Sequence, residues 1–229
     1  MISTYTIHDN LVTLHLPDSP GTLNPLQVVY LHTTENSGID VWEQCAQLGC
    51  GPFALAAIKP SSWNDDLTPW PCPGIFADDK PFGGNACAQL DLLEHEIIPT
   101  IERDLTKPPD QRIVAGYSLA GLFATWAAFE STLFSGVASA SGSFWYPGFA
   151  QFVREHTLTS PVTRAYFSLG SKEARTPSRL LRNVEQGTRQ VADEFRAKDV
   201  KTTFKKNPGN HFKEPALRMA KAIRWMLDQ

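Results

Sequence analysis

The stretch RIVAGYSLAGLFATWAAF, residues 112–129, decides the fold of this chain. Its first part, 112–116, is a short apolar run that is typical of a strand buried on both faces. The part after Ser118, residues 119–129, is apolar on nearly every side and predicts a buried helix. A buried strand that passes through a tight turn into a buried helix is a unit of α/β proteins.

Further apolar and alternating runs predict the elements on either side of this unit. The predicted strands are 26–31, 53–58, 137–141, 165–169 and 202–205, and the weak alternation over 4–16 predicts edge strands. The predicted helices are 39–48, 85–105, 184–199 and 214–228, and Pro99 should kink the second of them. This alternation predicts a single α/β domain over residues 1–229, with a mostly parallel central sheet and helices on both faces.

Residues 59–85 interrupt the alternation of strands and helices. This segment holds five prolines together with Trp63 and Trp70. Long irregular loops in compact domains tend to be functional. The aromatic side chains either wall a substrate cleft or cover the edge of the sheet, and the sequence favours neither.

Composition and charge exclude several classes of protein. The chain has 229 residues, 42% of them hydrophobic and 20% charged, which is ordinary for a globular protein with a sizeable core. A net charge of −3 offers no concentrated basic face for nucleic acid. No signal peptide is indicated, and no run of about 18 apolar residues predicts a membrane span. We therefore expect a cytoplasmic protein with neither a nucleic-acid nor a membrane partner.

The four cysteines are Cys45, Cys50, Cys72 and Cys87. They form no C-x-x-C pair, and no histidine cluster accompanies them. Free thiols are the simplest interpretation, with a Cys72–Cys87 disulfide as the alternative. No metal or other cofactor is expected.

The turn between the strand and the helix reads GYSLAG over residues 116–121. A serine between small residues at a strand–turn–helix junction is the arrangement of a nucleophile elbow, with Ala120 here where glycine is usual. The elbow would expose the Ser118 hydroxyl and place the Leu119 N–H at a helix N-terminus, where it favours an oxyanion. The alternative is that Ser118 merely caps the helix.

A serine nucleophile needs a base, which α/β-hydrolases supply in the chain order serine, acid, histidine. Among six histidines, only His211 lies after the last predicted strand, in the loop before the final helix. Glu173 is the only carboxylate at the exit of strand 165–169 and would orient the imidazole. Either residue is alternatively a surface residue, and without Glu173 the site would be a Ser118–His211 dyad.

A second oxyanion donor is expected from the loop after strand 26–31. In this sequence the donor is the backbone N–H of Thr33 or Thr34. Because the backbone does this work, the side chains give little indication, and position alone supports the prediction.

Three stretches resemble the esterase family of α/β-hydrolases that contains esterase D, enterochelin (siderophore) esterases and feruloyl esterases. They are NDDLTPWP at 64–71, GGNACAQLDLLEHEIIPTIE at 83–102 and the block 112–146, which runs from RIVAGYSLAGLFATWAAFE to SGSFWY. The likeness spans roughly residues 26–215. It implies Ser118 as nucleophile, His211 as base and Glu173 as acid.

The resemblance also bears on substrate contacts. Trp145 matches an aromatic residue near the active-site mouth of the family, with core packing as the alternative. Tyr117, where the family has His or Gln, and Trp70 in the irregular loop are further candidates for substrate contact. The departures at Tyr117, Ala120 and Gly142 leave the catalytic residues in place but weaken any statement about the substrate.

Two classes of function are open. The first is hydrolysis of a small-molecule siderophore, feruloyl or short acyl ester through an acyl-serine intermediate. An acyltransferase on the same scaffold differs in the acyl acceptor, which the sequence does not reveal. The second class is a non-catalytic binding protein, against which the complete set of serine, acid and histidine argues. The oligomeric state is not indicated.

Overall fold

The sheet is the centre of the structure, a computed structural model that describes residues 1–17, 25–34, 36–76 and 78–228. Its strands are β1 (Ile2–Ile7), β2 (Asn10–His15), β3 (Gln27–His32), β4 (Ala54–Lys59), β5 (Gln111–Tyr117), β6 (Gly136–Ala140), β7 (Arg164–Gly170) and β8 (Lys201–Asn207). They lie in the order β1-β2-β4-β3-β5-β6-β7-β8. The pairs from β3 to β8 are parallel, whereas β2 is antiparallel to β1 and β4. The predicted mostly parallel sheet is confirmed.

Helices cover both faces of this sheet. They are α1 (Ile39–Gln47), α2 (Trp63–Asp66), α3 (Ala86–Leu92), α4 (Ile98–Glu102), α5 (Leu119–Glu130), α6 (Phe149–Glu155), α7 (Val184–Ala197) and α8 (Pro215–Leu227), with 3-10 turns at Asn36–Gly38 and Leu181–Asn183. The helices α1 and α8 pack on one face, and α3 to α7 share the core on the other. None of the helices described here is long and apolar enough to span a membrane.

The buried strands alternate between two cores. In β3, Val28 joins the core shared with α5, whereas Val29 joins the core shared with α8. Both are fully buried. Because parallel strands between two helical layers are apolar on both sides, they appear in the sequence as continuous hydrophobic runs. This property made β3, β4 and β5 predictable.

Four elements differ from the prediction. The predicted helix 85–105 divides into α3, a π-helical segment Leu93–Ile97, and α4. The backbone stays helical through Ile97 and Ile98, and Pro99, which has no N–H to donate, directly follows the π-helical segment. The strand β2 is not an edge, because it pairs with β4 as well as β1. Helices α2 and α6 have four and seven residues, which is too short to show a helical period.

The parallel order brings four loops together at one edge of the sheet. Ser118 follows β5, Ser141 follows β6, Glu173 lies three residues after β7, and His211 lies four residues after β8. Because these strands are consecutive neighbours, side chains from their carboxyl ends lie side by side.

Gly187 allows α7 to approach the segment after β6 closely. A Cβ at this position would lie 2.1 Å from the carbonyl oxygen of Phe144. We expect Gly187→Ala to lower the free energy of unfolding by about 1–3 kcal/mol, because the overpacking outweighs the helix preference of alanine. Urea unfolding measures this change. Gly51→Ala is the control, since its added methyl group meets open space, and equal stabilities of the two variants would contradict the close packing.

Candidate active site

Ser118 sits in a strained turn between β5 and α5. Its backbone has φ 60° and ψ −123°, a conformation that residues with a side chain rarely adopt. Its carbonyl oxygen accepts the N–H groups of Gly121 and Leu122 at 3.0 and 3.1 Å, which starts the helix. The Ser118 side chain makes no capping hydrogen bond. This geometry favours the nucleophile elbow over a helix cap.

Small residues make this turn possible. A Cβ on Gly116 would lie 2.2 Å from the carbonyl carbon of Ala120, so that position has no room for a side chain. A Cβ on Gly121 would lie 2.5 Å from the hydroxyl oxygen of Ser139. Ala120 is fully buried in the core. The structure thus accommodates alanine in the usual glycine position. The position that has no room for a side chain on this side of the serine is Gly121.

The structure brings Ser118, His211 and Glu173 into one chain of hydrogen bonds. The Nδ1 atom of His211 lies 2.8 Å from Oε2 of Glu173, and its Nε2 atom lies 3.1 Å from Oγ of Ser118. A carboxylate accepts only, so Nδ1 carries the hydrogen and Nε2 is left to accept the hydroxyl proton. This arrangement suits a triad better than a Ser118–His211 dyad.

The Glu173 carboxylate is buried, and its oxygens are fully matched by donors. The Oε1 atom accepts the Gly170 N–H at 2.6 Å, the Ser141 hydroxyl at 2.8 Å and the Arg218 guanidinium at 2.9 Å. Burial by itself raises the pKa of Glu173, but the hydrogen bonds from His211, Gly170 and Ser141 outweigh it and lower the pKa below its ordinary value. Glu173 is therefore ionised at neutral pH.

Arg218 was not predicted from the sequence. It lies in α8, its side chain is 2% exposed, and it pairs with Glu173. Arg218 lies on the same stripe of α8 as the buried residues Ala222 and Met226, but arginine is seldom buried, so its residue type gave no sign of this position. Ser141, after β6, was missed because a lone serine at a strand end has no distinguishing pattern.

The two oxyanion candidates after β3 differ in the structure. The N–H of Thr33 donates to the carbonyl of Ile58 at 2.8 Å and is thus committed to the sheet. The register places His32 opposite Gly116, so the residues after His32 run beside the elbow. Thr33 does not fit the predicted role, and Thr34 remains the candidate. Leu119 begins α5 at the helix N-terminus, as its predicted role requires.

A cavity of about 730 Å³ opens above Ser118. Its apolar wall includes Trp63, Phe82 and Trp145, and its charged residues include Lys80, Asp79, Lys172 and Arg175. Several of these residues belong to the irregular segment 59–85. That segment therefore walls the cleft, which was one of the two predicted possibilities.

The two predicted tryptophan contacts separate. Trp145 lines the cavity and its ring centroid lies 5.9 Å from that of Phe82, so it faces the cavity while it packs against the core. Trp70 is not among the described residues that line the cavity. Its indole N–H donates to the carbonyl of Pro147 at 3.0 Å. Its ring packs against Tyr146, Phe149 and Phe152. Trp70 therefore covers the core and does not fit the predicted substrate contact.

Tyr117 holds the histidine loop and is also absent from the described cavity wall. Its hydroxyl donates to the carbonyl of His211 at 2.5 Å, and its ring lies 5.3 Å from the imidazole. The predicted substrate contact of Tyr117 does not fit this orientation, because the hydroxyl is directed at the backbone of the loop.

Comparison with known proteins identifies the family. Residues 3–215 match the model of the family described as "Putative esterase". The chain belongs to this family. Membership identifies it as a carboxylic ester hydrolase and confirms the resemblance inferred from the three sequence stretches. The uncharacterized protein YbbA of Bacillus subtilis (strain 168) is 26% identical over 238 residues, which cover 98% of this chain and 95% of that protein.

Solved structures similar to this esterase support the fold. An IroE-like serine hydrolase from Shewanella oneidensis has a TM-score of 0.78 at 17% identity, covering 99% of this chain and 80% of that one. The siderophore hydrolase EstA from Aspergillus nidulans has a TM-score of 0.75 at 19% identity, covering 99% and 94%. At these identities the likeness establishes the α/β-hydrolase fold alone, and the predicted fold class is confirmed.

The lowered pKa of Glu173 makes a prediction for acid stability. Because the folded state binds this proton less readily than the unfolded chain, its contribution is present above the ordinary pKa of 4.5 and is lost as pH falls through the lower folded value. We expect the unfolding free energy of Glu173→Gln to fall less steeply than that of the wild type between about pH 5 and 3. Urea titrations at each pH measure both slopes. Glu130→Gln, the same change at the exposed end of α5, is measured beside it as the control, and equal slopes for Glu173→Gln and the wild type would contradict this role.

Proposed function

We propose that this esterase hydrolyses a small-molecule ester through an acyl-serine intermediate on Ser118. The observation that carries the proposal is the pair of hydrogen bonds joining Ser118 to His211 and His211 to Glu173, at 3.1 and 2.8 Å. All three hydrogen-bonded residues line the cavity. A nucleophile, a base and an orienting acid in contact are the requirements of acyl transfer to serine.

The proposed reaction has two halves. Ser118 Oγ attacks the ester carbonyl while Nε2 of His211 takes its proton, and the carbonyl oxygen becomes an oxyanion held by the N–H groups of Leu119 and Thr34. The carbonyl then re-forms, the bond to the alkoxy oxygen breaks, and His211 protonates the departing alcohol. Water attacks the acyl-serine with His211 again as base, which releases the acid and restores Ser118.

The other two functions are less well supported. The backbone of Ser118, at φ 60°, is strained at a cost of about 1–3 kcal/mol. Catalysis explains this strain, because it directs the hydroxyl at the histidine, whereas a binding protein would not require it. An acyltransferase shares the first half of the reaction. Product partition between water and an added alcohol separates it from a hydrolase.

The substrate belongs to the finer part of the proposal. The siderophore hydrolase EstA shares the fold, and the cavity has room for an aromatic acyl group beside Phe82 and Trp145. We therefore rank aromatic esters, whether siderophore or feruloyl, above short acyl esters. We further propose a single domain over 1–229, supported by the one sheet that contains all eight described strands, and a cytoplasmic location, supported by the sequence alone.

Ser118→Ala tests the nucleophile. We expect loss of nearly all ester hydrolysis, a fall of about 10⁴-fold or more in kcat, because no other hydroxyl is activated by His211. A fluorophosphonate probe should label the wild type and leave the variant unlabelled. Ser171→Ala, an exposed serine at the same edge of the sheet, should keep activity and labelling. Persistent labelling of Ser118→Ala would assign the nucleophile elsewhere.

Trp145→Leu tests the acyl preference. With an aromatic wall removed, kcat/KM for methyl ferulate should fall by about tenfold, while that for methyl butyrate should change by less than about twofold. Trp70→Leu is matched in chemistry but lies off the cavity wall, so it should alter both esters equally. Equal losses on both esters in Trp145→Leu would make Trp145 a packing residue.

A further inference from the structure

We propose that Arg218 is a positioning residue for the triad, which balances the charge of Glu173 and fixes the loop of His211. This role presupposes the proposed function, because it concerns the same three residues. The Arg218 side chain is 2% exposed and is not among the described residues that line the cavity. It therefore acts through its neighbours and does not meet the substrate.

The guanidinium of Arg218 divides its two amino groups between two tasks. One, Nη1, donates to Oε1 of Glu173 at 2.9 Å and contacts the hydroxyls of Ser141 and Tyr117, each at 3.1 Å. The other, Nη2, donates to the carbonyls of Pro208 and Asn210 at 2.9 and 2.8 Å. Only a planar fork with donors on both arms satisfies an acid and a loop at once.

The loop before His211 is held at every carbonyl. The acceptors and donors are Asn207 with the Ser171 N–H, Pro208 with Arg218, Gly209 with the Lys172 N–H, Asn210 with Arg218, and His211 with the Tyr117 hydroxyl. Arg218 supplies two of these bonds, and it contacts the tyrosine that supplies a third. Removing its side chain would take the donor from the Pro208 carbonyl and leave the Asn210 carbonyl with only the Lys213 N–H at 3.3 Å, so the loop beside the histidine would lose two of its anchors.

The charge of Arg218 also affects His211. Among the described residues, the titratable groups around the imidazole are Glu173 in direct contact, Arg218 behind that carboxylate and Tyr117 against the ring. Asp79, Lys80, Lys172 and Arg175 lie further out on the cavity wall. Glu173 favours the imidazolium, whereas Arg218 opposes it by offsetting part of the carboxylate's charge. Arg218 therefore offsets part of the negative field that Glu173 places on the imidazole.

The acid limb of kcat/KM against pH reports this balance. We expect the midpoint of this limb to lie at the highest pH in Arg218→Met, on the order of one pH unit above the wild-type midpoint. The midpoint for the double variant Glu173→Gln/Arg218→Met should lie just below that of the wild type, and the midpoint for Glu173→Gln should be the lowest of the four.

The turnover number gives a second readout. Arg218→Met should lose about 10–100-fold in kcat, because the histidine loop is released. Arg218→Lys should keep the wild-type limb and lose about tenfold in kcat, because an ammonium does not reach both the acid and the loop.

Arg112→Met is the matched control. It removes an arginine from a second ion pair, which is partly buried and joins Arg112 to Glu102 at the opposite end of β5. Thermal unfolding should show a loss of stability in this variant, whereas its acid limb should stay at the wild-type position. A merely structural role for Arg218 predicts the same behaviour for Arg218→Met.

Two comparisons make the outcome decisive. If Arg218→Met does not fold, the double variant is compared with Glu173→Gln instead, because the double variant buries no unpaired charge. The midpoint of the acid limb should then lie at a higher pH in the double variant than in Glu173→Gln. NMR of ¹³C-labelled histidine follows the titration of His211 without turnover, so an inactive wild type would overturn the proposed function but not this role. An active wild type with unshifted limbs and unshifted titrations in both comparisons would overturn it.

Discussion

A carboxylate buried beside a histidine is the constraint on which the rest of the site depends. Glu173 gives up its hydration, and an unmatched ion in such a place would be too costly to keep. The backbone N–H of Gly170, the hydroxyl of Ser141, the guanidinium of Arg218 and the imidazole of His211 replace that hydration. Each donor comes from a different part of the fold, so the ionised acid requires the sheet edge, the final helix and the histidine loop to be correctly placed together.

The parallel sheet is what makes this meeting of distant residues possible. Strands β5 to β8 are neighbours in space in the same order as along the chain. Each strand end therefore delivers one component, and α8 returns across the opposite face to supply the arginine. Since the loops after β5, β6 and β7 are anchored to buried strands, their side chains are positioned by a rigid support, whereas the loop after the edge strand β8 is held by its own hydrogen bonds.

The sequence predicted more of the fold than of the contacts within the site. Continuous apolar runs identified the parallel strands, because burial on both faces leaves no choice of residue type. The order of Ser118, Glu173 and His211 after successive strands gave their grouping, and the structure brings the three together. Burial of Arg218 depends on the acid and the loop that meet the start of α8, and an arginine by its residue type gives no sign of such partners.

The misplaced predictions have related causes. Trp70 was chosen for its place in the irregular loop, and Tyr117 for its place beside the serine where the family has His or Gln. The direction of either side chain depends on packing partners that are distant in sequence. The N–H of Thr33 is used by the sheet because β3 pairs one residue beyond its last strand position. Such one-residue shifts decide whether a backbone donor is available, and no residue type records them.

The anchored loop before His211 has a consequence for the thermodynamics of binding. With five consecutive carbonyl groups already bonded, the segment from Asn207 to His211 has little conformational entropy left to lose. A substrate that contacts this segment therefore binds without an entropic cost for ordering it. The enthalpy of the contact is then available for holding the ester near the serine. Preorganisation of this kind resides in the free protein, before any ligand arrives.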